Sequence, residues 1–108
     1  MTFFYGPNFY WGLKPEEFSL TSPEGEQTEL TSGEFQLLEI FVNAPNRVLS
    51  REHLYDVTRG DNFESFDRAL DVQVGRLRKK LNDDPKDSKM IKTIRGIGYQ
   101  FCADVEKS

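Results

Sequence analysis

A helical pattern of apolar positions dominates the middle of the chain and begins just after residue 30. Its first apolar stripe recurs at three- and four-residue spacing, as one face of a helix requires, and consists of Phe35, Leu38, Phe41 and Val42. Thr31 and Glu34 precede the body of this stripe with the spacing of a capping box, in which each side chain binds the other residue's backbone N–H. We therefore predict a first helix over residues 32–43.

Two further helices follow, and the last is the longest. Ser50 is a favourable cap for a helix that ends near Gly60, which predicts a second helix over about 51–59. The apolar stripe of the third segment recurs at i, i+4, i+7 and i+11 and consists of Leu70, Val74, Leu77 and Leu81. This repeat predicts a third helix over about 66–82.

Strand patterns flank the helices on both sides. Short apolar runs separated by turn formers occupy residues 9–13, 17–21 and 27–30, at the spacing of an antiparallel meander. Near the other end, alternation over 90–94 resumes over 99–102 after a glycine-containing turn, which predicts a β-hairpin. The order indicates an α+β fold, a winged helix-turn-helix with an N-terminal antiparallel sheet, a three-helix core and a C-terminal hairpin as the wing.

The distribution of charge changes what the composition implies. A formal net charge of −4 at first argues against a nucleic-acid partner, because DNA binding depends on neutralising phosphates. However, residues 1–67 hold 4 basic and 12 acidic side chains, whereas residues 68–108 hold 10 basic and 6 acidic ones. The basic residues are therefore concentrated in the third helix and the wing.

The side of the third helix opposite its apolar stripe is basic and small. It carries Arg68, Ala69, Val72, Gly75, Arg76 and Lys79. A DNA major groove accepts such a helix, because cationic side chains reach guanine edges or phosphates and an apolar side chain can touch thymine methyl groups. A wing-tip arginine can enter the narrow minor groove. A basic amphipathic helix is also often only a solvated face, so this helix alone leaves both interpretations open.

The sequence contains no motif for catalysis or for metal binding. The single His53 and the single Cys102 have no zinc-site or nucleophile motif around them. The glycines of residues 96–98 lie within a predicted hairpin, whereas a dinucleotide loop needs a third glycine and a strand-to-helix crossover. The acidic residues within 83–87 fit a polar turn better than a cation site. We expect no catalytic activity, no metal and no cofactor.

The 108 residues have room for one domain, which we place at 9–103. Residues 1–8 are interpreted as a linker or as residues foreign to the domain, and 104–108 as a tail. No apolar run approaches the roughly 20 residues that span a bilayer, and the start of the chain lacks the features of a secretory signal. We therefore expect a soluble, cytoplasmic protein without a membrane partner.

Four segments, in this order, resemble the OmpR/PhoB family of response-regulator output domains. They are LTSGEF at 30–35, VLSREHL at 48–54, RALDVQVGRLRKK at 68–80 and IRGIGYQF at 94–101. The resemblance spans roughly residues 9–103 and is nearer to the OmpR branch, because Arg59 stands where the PhoB branch commonly has Trp. It implies a four-stranded N-terminal sheet, a recognition helix (66–82) in the major groove and a wing (90–102) at the minor groove.

The resemblance also implies roles for individual residues. The residues that correspond to base-reading positions are Val72, Arg76 and Arg95. Those that correspond to phosphate contacts are Arg68, Arg78 and Thr93, with Arg59, Gln73 and Lys79 as further candidates. The loop before the third helix often contacts RNA polymerase in this family and here would present Asp61, Phe63 and Glu64. Gly75 departs from the Ser or Arg often found at its position.

Members of the family work within a two-component phosphorelay. A sensor kinase phosphorylates a receiver domain, and the output domains bind promoter DNA as head-to-tail dimers on tandem half-sites. The chain is thus expected to be an excised output domain or a receiverless regulator, monomeric or weakly dimeric alone. An alternative is a winged-helix protein-interaction module that does not bind DNA. It is supported by the acidic first two-thirds and by the aromatic residues Phe3, Phe4, Phe9, Tyr10 and Trp11.

Overall fold

In the computed structural model, the described residues are 2–4, 10–58, 63–83, 86 and 88–106. For residues 15, 55–58 and 63–69 only the backbone is described. The helices are α1 (Ser32–Asn43), α2 (Arg51–Thr58) and α3 (Phe63–Lys80), with a short 3₁₀ turn at Pro15–Glu17. The strands are β1 (Thr2–Phe4), β2 (Tyr10–Lys14), β3 (Ser19–Thr21), β4 (Gln27–Glu29), β5 (Val48–Ser50), β6 (Ile91–Ile94), β7 (Gly98–Phe101) and β8 (Asp104–Glu106).

The strands form two antiparallel sheets. The larger sheet has five strands in the order β4-β3-β2-β1-β8, so that the last strand of the chain pairs with the first. The smaller sheet has the order β5-β7-β6, in which the hairpin β6-β7 is the predicted wing. Because β5 runs directly into α2, its pairing with β7 joins the wing to the helical core.

The first helix has the predicted bounds, and its capping box is present in both directions. The backbone N–H of Glu34 donates to the Thr31 hydroxyl at 3.2 Å, and the N–H of Thr31 donates to the Glu34 carboxylate at 2.8 Å. Both signals are local in sequence, which is why the sequence predicts residues 32–43 correctly. The second helix also begins where predicted, with the Ser50 hydroxyl accepting from the N–H of His53 at 3.0 Å.

The third helix differs from its prediction at both ends. It begins at Phe63 rather than at residue 66, because the polar segment before the apolar stripe continues the helix instead of forming a loop. It ends at Lys80 rather than at residue 82, in a Schellman motif. The N–H of Asp83 donates to the Arg78 carbonyl at 2.7 Å, and Asn82 adopts the left-handed conformation with φ of 55°.

Residues 2–4 and 104–106, close to the two ends of the chain, form strands of the larger sheet. Thr2–Phe4 forms β1 and Asp104–Glu106 forms β8, paired so that Phe3 lies opposite Val105. Phe3 is completely buried, with its ring 6.4 Å from that of Trp11 and 5.3 Å from that of Phe101. The interpretation of residues 1–8 as a linker is therefore wrong for residues 2–4, and that of 104–108 as a tail is wrong for 104–106. The implied four-stranded sheet gains β8 as a fifth strand.

The core lies between the five-stranded sheet and the helices. The sheet contributes Phe3, Trp11, Leu13 and Leu20, α1 contributes Leu37, Leu38, Phe41 and Val42, and α2 contributes Leu54. All of the predicted α3 stripe is buried: Leu70, Val74, Leu77 and Leu81 are no more than 3% exposed. Burying this stripe fixes the rotation of α3 about its axis, and so determines which residues it presents to solvent.

Candidate nucleic-acid interface

The outward side of α3 presents one continuous stripe of side chains. Val72, Arg76 and Lys79 follow each other at i, i+4 and i+7, with Gly75 beside them, and all are exposed. Val72 is 52% exposed, whereas the other described apolar side chains of α3, Leu70, Val74 and Leu77, are buried. A β-carbon added at Gly75 would meet open space, so packing within the domain does not explain the glycine.

The two cations of this stripe are not used by the fold. Among the residues that the structure describes, the side chain of neither Arg76 nor Lys79 makes a hydrogen bond or an ion pair. An unengaged guanidinium or ammonium group keeps its donors available for a ligand. The predicted base-reading residues Val72 and Arg76 and the predicted phosphate contact Lys79 thus share one accessible surface.

The tip of the wing is a tight turn held against the start of α2. Gly96 has a φ of 78° and the N–H of Ile97 donates to the Ile94 carbonyl at 3.0 Å, as in a type II turn. The carbonyl of Ile97 accepts from the N–H of Arg51, the first residue of α2, at 3.1 Å. This anchoring leaves Arg95 and Ile97 exposed at the tip, so the predicted wing arginine is accessible to a ligand.

Arg78 and Thr93, two predicted phosphate contacts, are hydrogen-bonded to each other, with Arg78 half-buried and Thr93 exposed. The Arg78 Nη2 donates to the Thr93 hydroxyl at 2.9 Å and to the Ile91 carbonyl at 2.7 Å, and its Nε donates to the same carbonyl at 3.1 Å. The guanidinium also lies 5.8 Å from the centre of the Tyr99 ring. Arg78 therefore connects α3 to both strands of the wing.

A second set of contacts, which the sequence does not predict, connects the wing to α3 and, through Asp71, to α2. The Tyr99 hydroxyl donates to the Asp71 carboxylate on α3, and Arg51 donates to the same oxygen at 3.0 Å. Burial alone raises the pKa of Asp71, but the hydrogen bonds from Tyr99 and Arg51 outweigh it and hold that pKa below its ordinary value. Burial and the bond to Asp71 raise the pKa of Tyr99, so the hydroxyl remains a donor at neutral pH.

Gln73, a further candidate for phosphate contact, faces the domain. Its amide lies over Gly33 in the first turn of α1, where an added β-carbon would collide with the amide nitrogen. The amide oxygen is buried and has no hydrogen-bond partner within the described part of the chain. The glycine of the segment 30–35 therefore makes room for the α3 side chain, a role that only the packed structure reveals.

Several predicted site residues lie outside what the structure describes. Arg59 and Asp61 fall in the undescribed segment 59–62. Phe63 and Glu64 lie in the first turn of α3 rather than in a loop, which corrects their predicted setting, and Arg68 lies further along the same helix. Only the backbone of these three residues is described, so their predicted contacts remain predictions.

Asp83, in the acidic turn after α3, has a structural role. The residue is 7% exposed, and its carboxylate accepts from the backbone N–H groups of Lys89, Met90 and Ile91 at 2.7 to 3.3 Å, which fixes the start of β6. Asp84 and Asp87 lie outside the described residues. Within the described residues, no group of three or more His, Cys, Asp or Glu is arranged to hold a metal ion. No described helix has the length and apolar character needed to cross a membrane.

Comparisons with known proteins agree with this geometry. The family model described as "Transcriptional regulatory protein, C terminal" matches residues 25–101. Regulatory protein VirG of Agrobacterium fabrum is 47% identical over 98 residues, which cover 91% of this chain and 39% of VirG. The chain thus spans about two-fifths of the length of that relative.

Solved structures with the same fold include DNA-bound examples. The RstA DNA-binding domain of Klebsiella pneumoniae, in complex with the RstA box, superposes with a TM-score of 0.75 at 28% identity, covering 93% of this chain and 96% of that one. The Thermotoga maritima response regulator DrrB, an OmpR/PhoB homologue, gives a TM-score of 0.73 at 28% identity, covering 93% of this chain and 44% of DrrB.

The chain belongs to the family of C-terminal domains of transcriptional regulatory proteins, of the OmpR/PhoB type. It is a response-regulator output domain with a winged-helix, α+β DNA-binding fold. The family and fold class predicted from the sequence are confirmed.

Proposed function

We propose that this chain binds double-stranded promoter DNA at specific sequences and regulates transcription from it. One observation carries the proposal: Val72, Arg76 and Lys79 form an exposed stripe on α3 whose cations make no hydrogen bond or ion pair with described residues. A helix with such a face fits the major groove, and Arg95 at the exposed wing tip is placed to reach the adjacent minor groove. The DNA-bound RstA domain, which has the same fold, supports this assignment.

Within this proposal the exposed residues have different roles. Val72 and Arg76 read base edges, because an apolar contact to thymine and a guanidinium on guanine are the standard pairings in the major groove. Lys79 contacts phosphate, together with Arg68 and Arg59. Gln73, which packs over Gly33, is the least suited of the predicted phosphate contacts.

The rest of the proposal concerns the larger system. Relatives such as VirG are longer than this chain, and we propose that a receiver domain, phosphorylated by a sensor kinase in the cytoplasm, controls the output domain. Two copies bind head to tail on tandem half-sites, and the segment containing Asp61, Phe63 and Glu64 contacts RNA polymerase. The domain itself is proposed to act by binding, without catalysis or a cofactor. Burial raises the pKa of the Cys102 thiol, which disfavours the nucleophilic thiolate.

Binding measurements on a selected duplex test the proposal. A site is first selected from a pool of random duplexes with the wild-type chain, and dissociation constants are then measured for that site and for random DNA. Arg76→Ala is expected to weaken binding to the selected site by about 1–3 kcal/mol and to reduce the discrimination between that site and random DNA. Lys79→Ala is expected to weaken both duplexes similarly and to lower the salt slope by about 1.

The matched control is Lys14→Ala, which removes an exposed cation from β2 in the N-terminal sheet. It is expected to leave both dissociation constants within about twofold, since long-range charge effects are screened at physiological salt. Equal binding of the wild-type chain to selected and random DNA would contradict sequence-specific recognition.

One observation supports the alternative function, a protein-interaction module that does not bind DNA. The rings of Phe4 and Tyr10 pair at 5.2 Å in the N-terminal sheet, and Tyr10 is 49% exposed. Phe3 and Trp11 are core residues and give this alternative no support. A mobility-shift experiment on pooled genomic fragments separates the two functions. No shift at low or at moderate salt would favour the interaction module.

A further inference from the structure

We infer that Arg78 is a positioning residue that fixes the wing against the recognition helix and acts on DNA only through Arg95. The inference rests on the proposed DNA-binding function, and it assigns to Arg78 a role different from the phosphate contact that the family resemblance implies. We call Arg51, Asp71, Arg78 and Tyr99 the wing network.

The donors of Arg78 are directed at the wing. Nε and Nη2 converge on the carbonyl of Ile91, and Nη2 also reaches the hydroxyl of Thr93, both in β6. The contact at residue 91 is to the backbone carbonyl, and the contact at residue 93 is to the side-chain hydroxyl. The guanidinium therefore holds the outer strand of the wing at two successive points of contact with α3.

The other strand of the wing is held by the same network. Tyr99 lies in β7 with its ring centre 5.8 Å from the guanidinium of Arg78 and 5.8 Å from that of Arg51. Its hydroxyl donates to Asp71, which precedes Val72 of the exposed stripe on α3. The strand that returns from the wing tip is thus bonded to the helix at the residue next to a proposed base reader.

These contacts leave Arg78 poorly placed to hold a phosphate as well. Binding a phosphate through Nε and Nη2 would require the guanidinium to give up the Ile91 carbonyl, and binding it through Nη1 and Nη2 would compete with the Thr93 hydroxyl. Arg76, Lys79 and Arg95 need no such exchange, because their side chains make no hydrogen bond or ion pair among the described residues. The hydrogen bonds of the Arg78 guanidinium to the wing are therefore more important than its charge. The planar fork of donors, which reaches Ile91 and Thr93 together, is a feature that lysine does not reproduce.

A mutant cycle between Arg78 and Arg95 tests the inference. Arg78→Ala and Arg78→Lys are each made in the wild-type chain and in the Arg95→Ala chain, and affinity is measured for the duplex selected by the wild type. In the wild-type background both substitutions are expected to cost about as much as Arg95→Ala, roughly tenfold, because the wing arginine is no longer held in place. In the Arg95→Ala background the same substitutions should change affinity by less than about twofold.

A direct phosphate contact gives a different pattern. Arg78→Ala would then weaken binding by the same factor in both backgrounds, and Arg78→Lys would keep nearly wild-type affinity because the charge remains. Either result, or no effect of Arg78→Ala at all, overturns the inference. Failure of the wild-type chain to prefer any duplex would instead overturn the proposed function.

Two measurements keep the cycle interpretable if Arg78→Ala does not fold. Thermal unfolding identifies such a variant, and Arg78→Lys in both backgrounds then carries the test alone. Tyr99→Phe removes only the hydroxyl that bonds to Asp71 and retains the ring. It is expected to reduce hydroxyl-radical protection of the minor groove at the wing position while the major-groove contacts of α3 persist. Unchanged protection would contradict coupling of the wing through Tyr99.

Discussion

The side-chain amine of Lys80, in the last turn of α3, donates a 2.6 Å hydrogen bond to the carboxylate of Glu34, in the first turn of α1. The same amine donates to the backbone carbonyl of Glu29 in β4 at 2.9 Å. Glu34 is 1% exposed and also closes the capping box with Thr31. One buried carboxylate thus joins the end of the recognition helix to the start of α1 and, through Lys80, to the sheet.

This ion pair predicts a loss of stability in acid. Burial alone raises the pKa of Glu34, but the hydrogen bonds from Lys80 and Thr31 outweigh it and hold the pKa below its usual value of 4.5. The pair therefore contributes stability above about pH 4.5, and this contribution is lost as the pH falls through the lower pKa of the folded state. Urea unfolding from about pH 6 to about pH 3 should show it. Glu34→Gln should have a flatter profile, and parallel profiles would contradict the prediction.

Two glycines, in segments that resemble the family, are expected to respond differently to replacement by alanine. A β-carbon at Gly98 would collide with the backbone carbonyl of Leu49 in β5, which cannot move without breaking the wing sheet. Gly98→Ala should therefore cost about 2 kcal/mol or more of unfolding free energy. At Gly33 the collision is with the flexible amide of Gln73, so Gly33→Ala should change stability by less than about 1 kcal/mol. Denaturant unfolding of both variants measures the contrast, and equal losses would contradict it.

The burial of Phe3 predicts that the first strand is needed for stability. Phe3→Ala removes a completely buried ring that contacts Trp11 and Phe101, and should cost about 3–5 kcal/mol. Phe4→Ala is a suitable comparison, because Phe4 is only partly buried and should cost less. Thermal or urea unfolding measures both. An effect of Phe3→Ala no larger than that of Phe4→Ala would show that β1 contributes little to the core.

Replacement of Gly75 by alanine is expected to raise the stability of the domain and to weaken its binding to DNA. Nothing lies within 4 Å of an added β-carbon, and alanine favours a helix over glycine by roughly 1 kcal/mol, so Gly75→Ala should stabilise the free domain. Within the exposed stripe the added methyl group would face the major groove, and we expect weaker binding to the selected duplex. Unfolding and binding measurements on the same preparation test both effects. Unchanged affinity would mean that the helix does not approach DNA closely at this point.

The sequence predicts the local features of the site and misses those that depend on packing across the fold. The bounds of α1 and the inward phase of α3 follow from capping and periodicity within one segment, and both are confirmed. The outward position of Val72 and Arg76 follows from that phase. The engagement of Arg78 with Ile91 depends on how the wing folds back over α3, across 13 residues of chain, and no periodic pattern encodes it.

The same limit explains the strands at the two ends. Three-residue strands carry little periodic signal, and Phe3 finds its partner at Val105, at the far end of the chain. The bond between Tyr99 and Asp71 likewise spans 28 residues. Each of these residues fits an unremarkable pattern in its own segment, and only the assembled sheets and helices bring the partners together.

We propose that DNA is bound by the exposed stripe of α3 and by the wing tip. The most direct test is a titration of the isotope-labelled chain with the selected duplex, followed through the backbone amide resonances. We expect the largest shifts at Val72, Gly75 and Arg76 on α3 and at Arg95 and Gly96 in the wing tip, with small shifts around Tyr10 in the N-terminal sheet. Large shifts around Tyr10, with α3 and the wing tip unchanged, would contradict it.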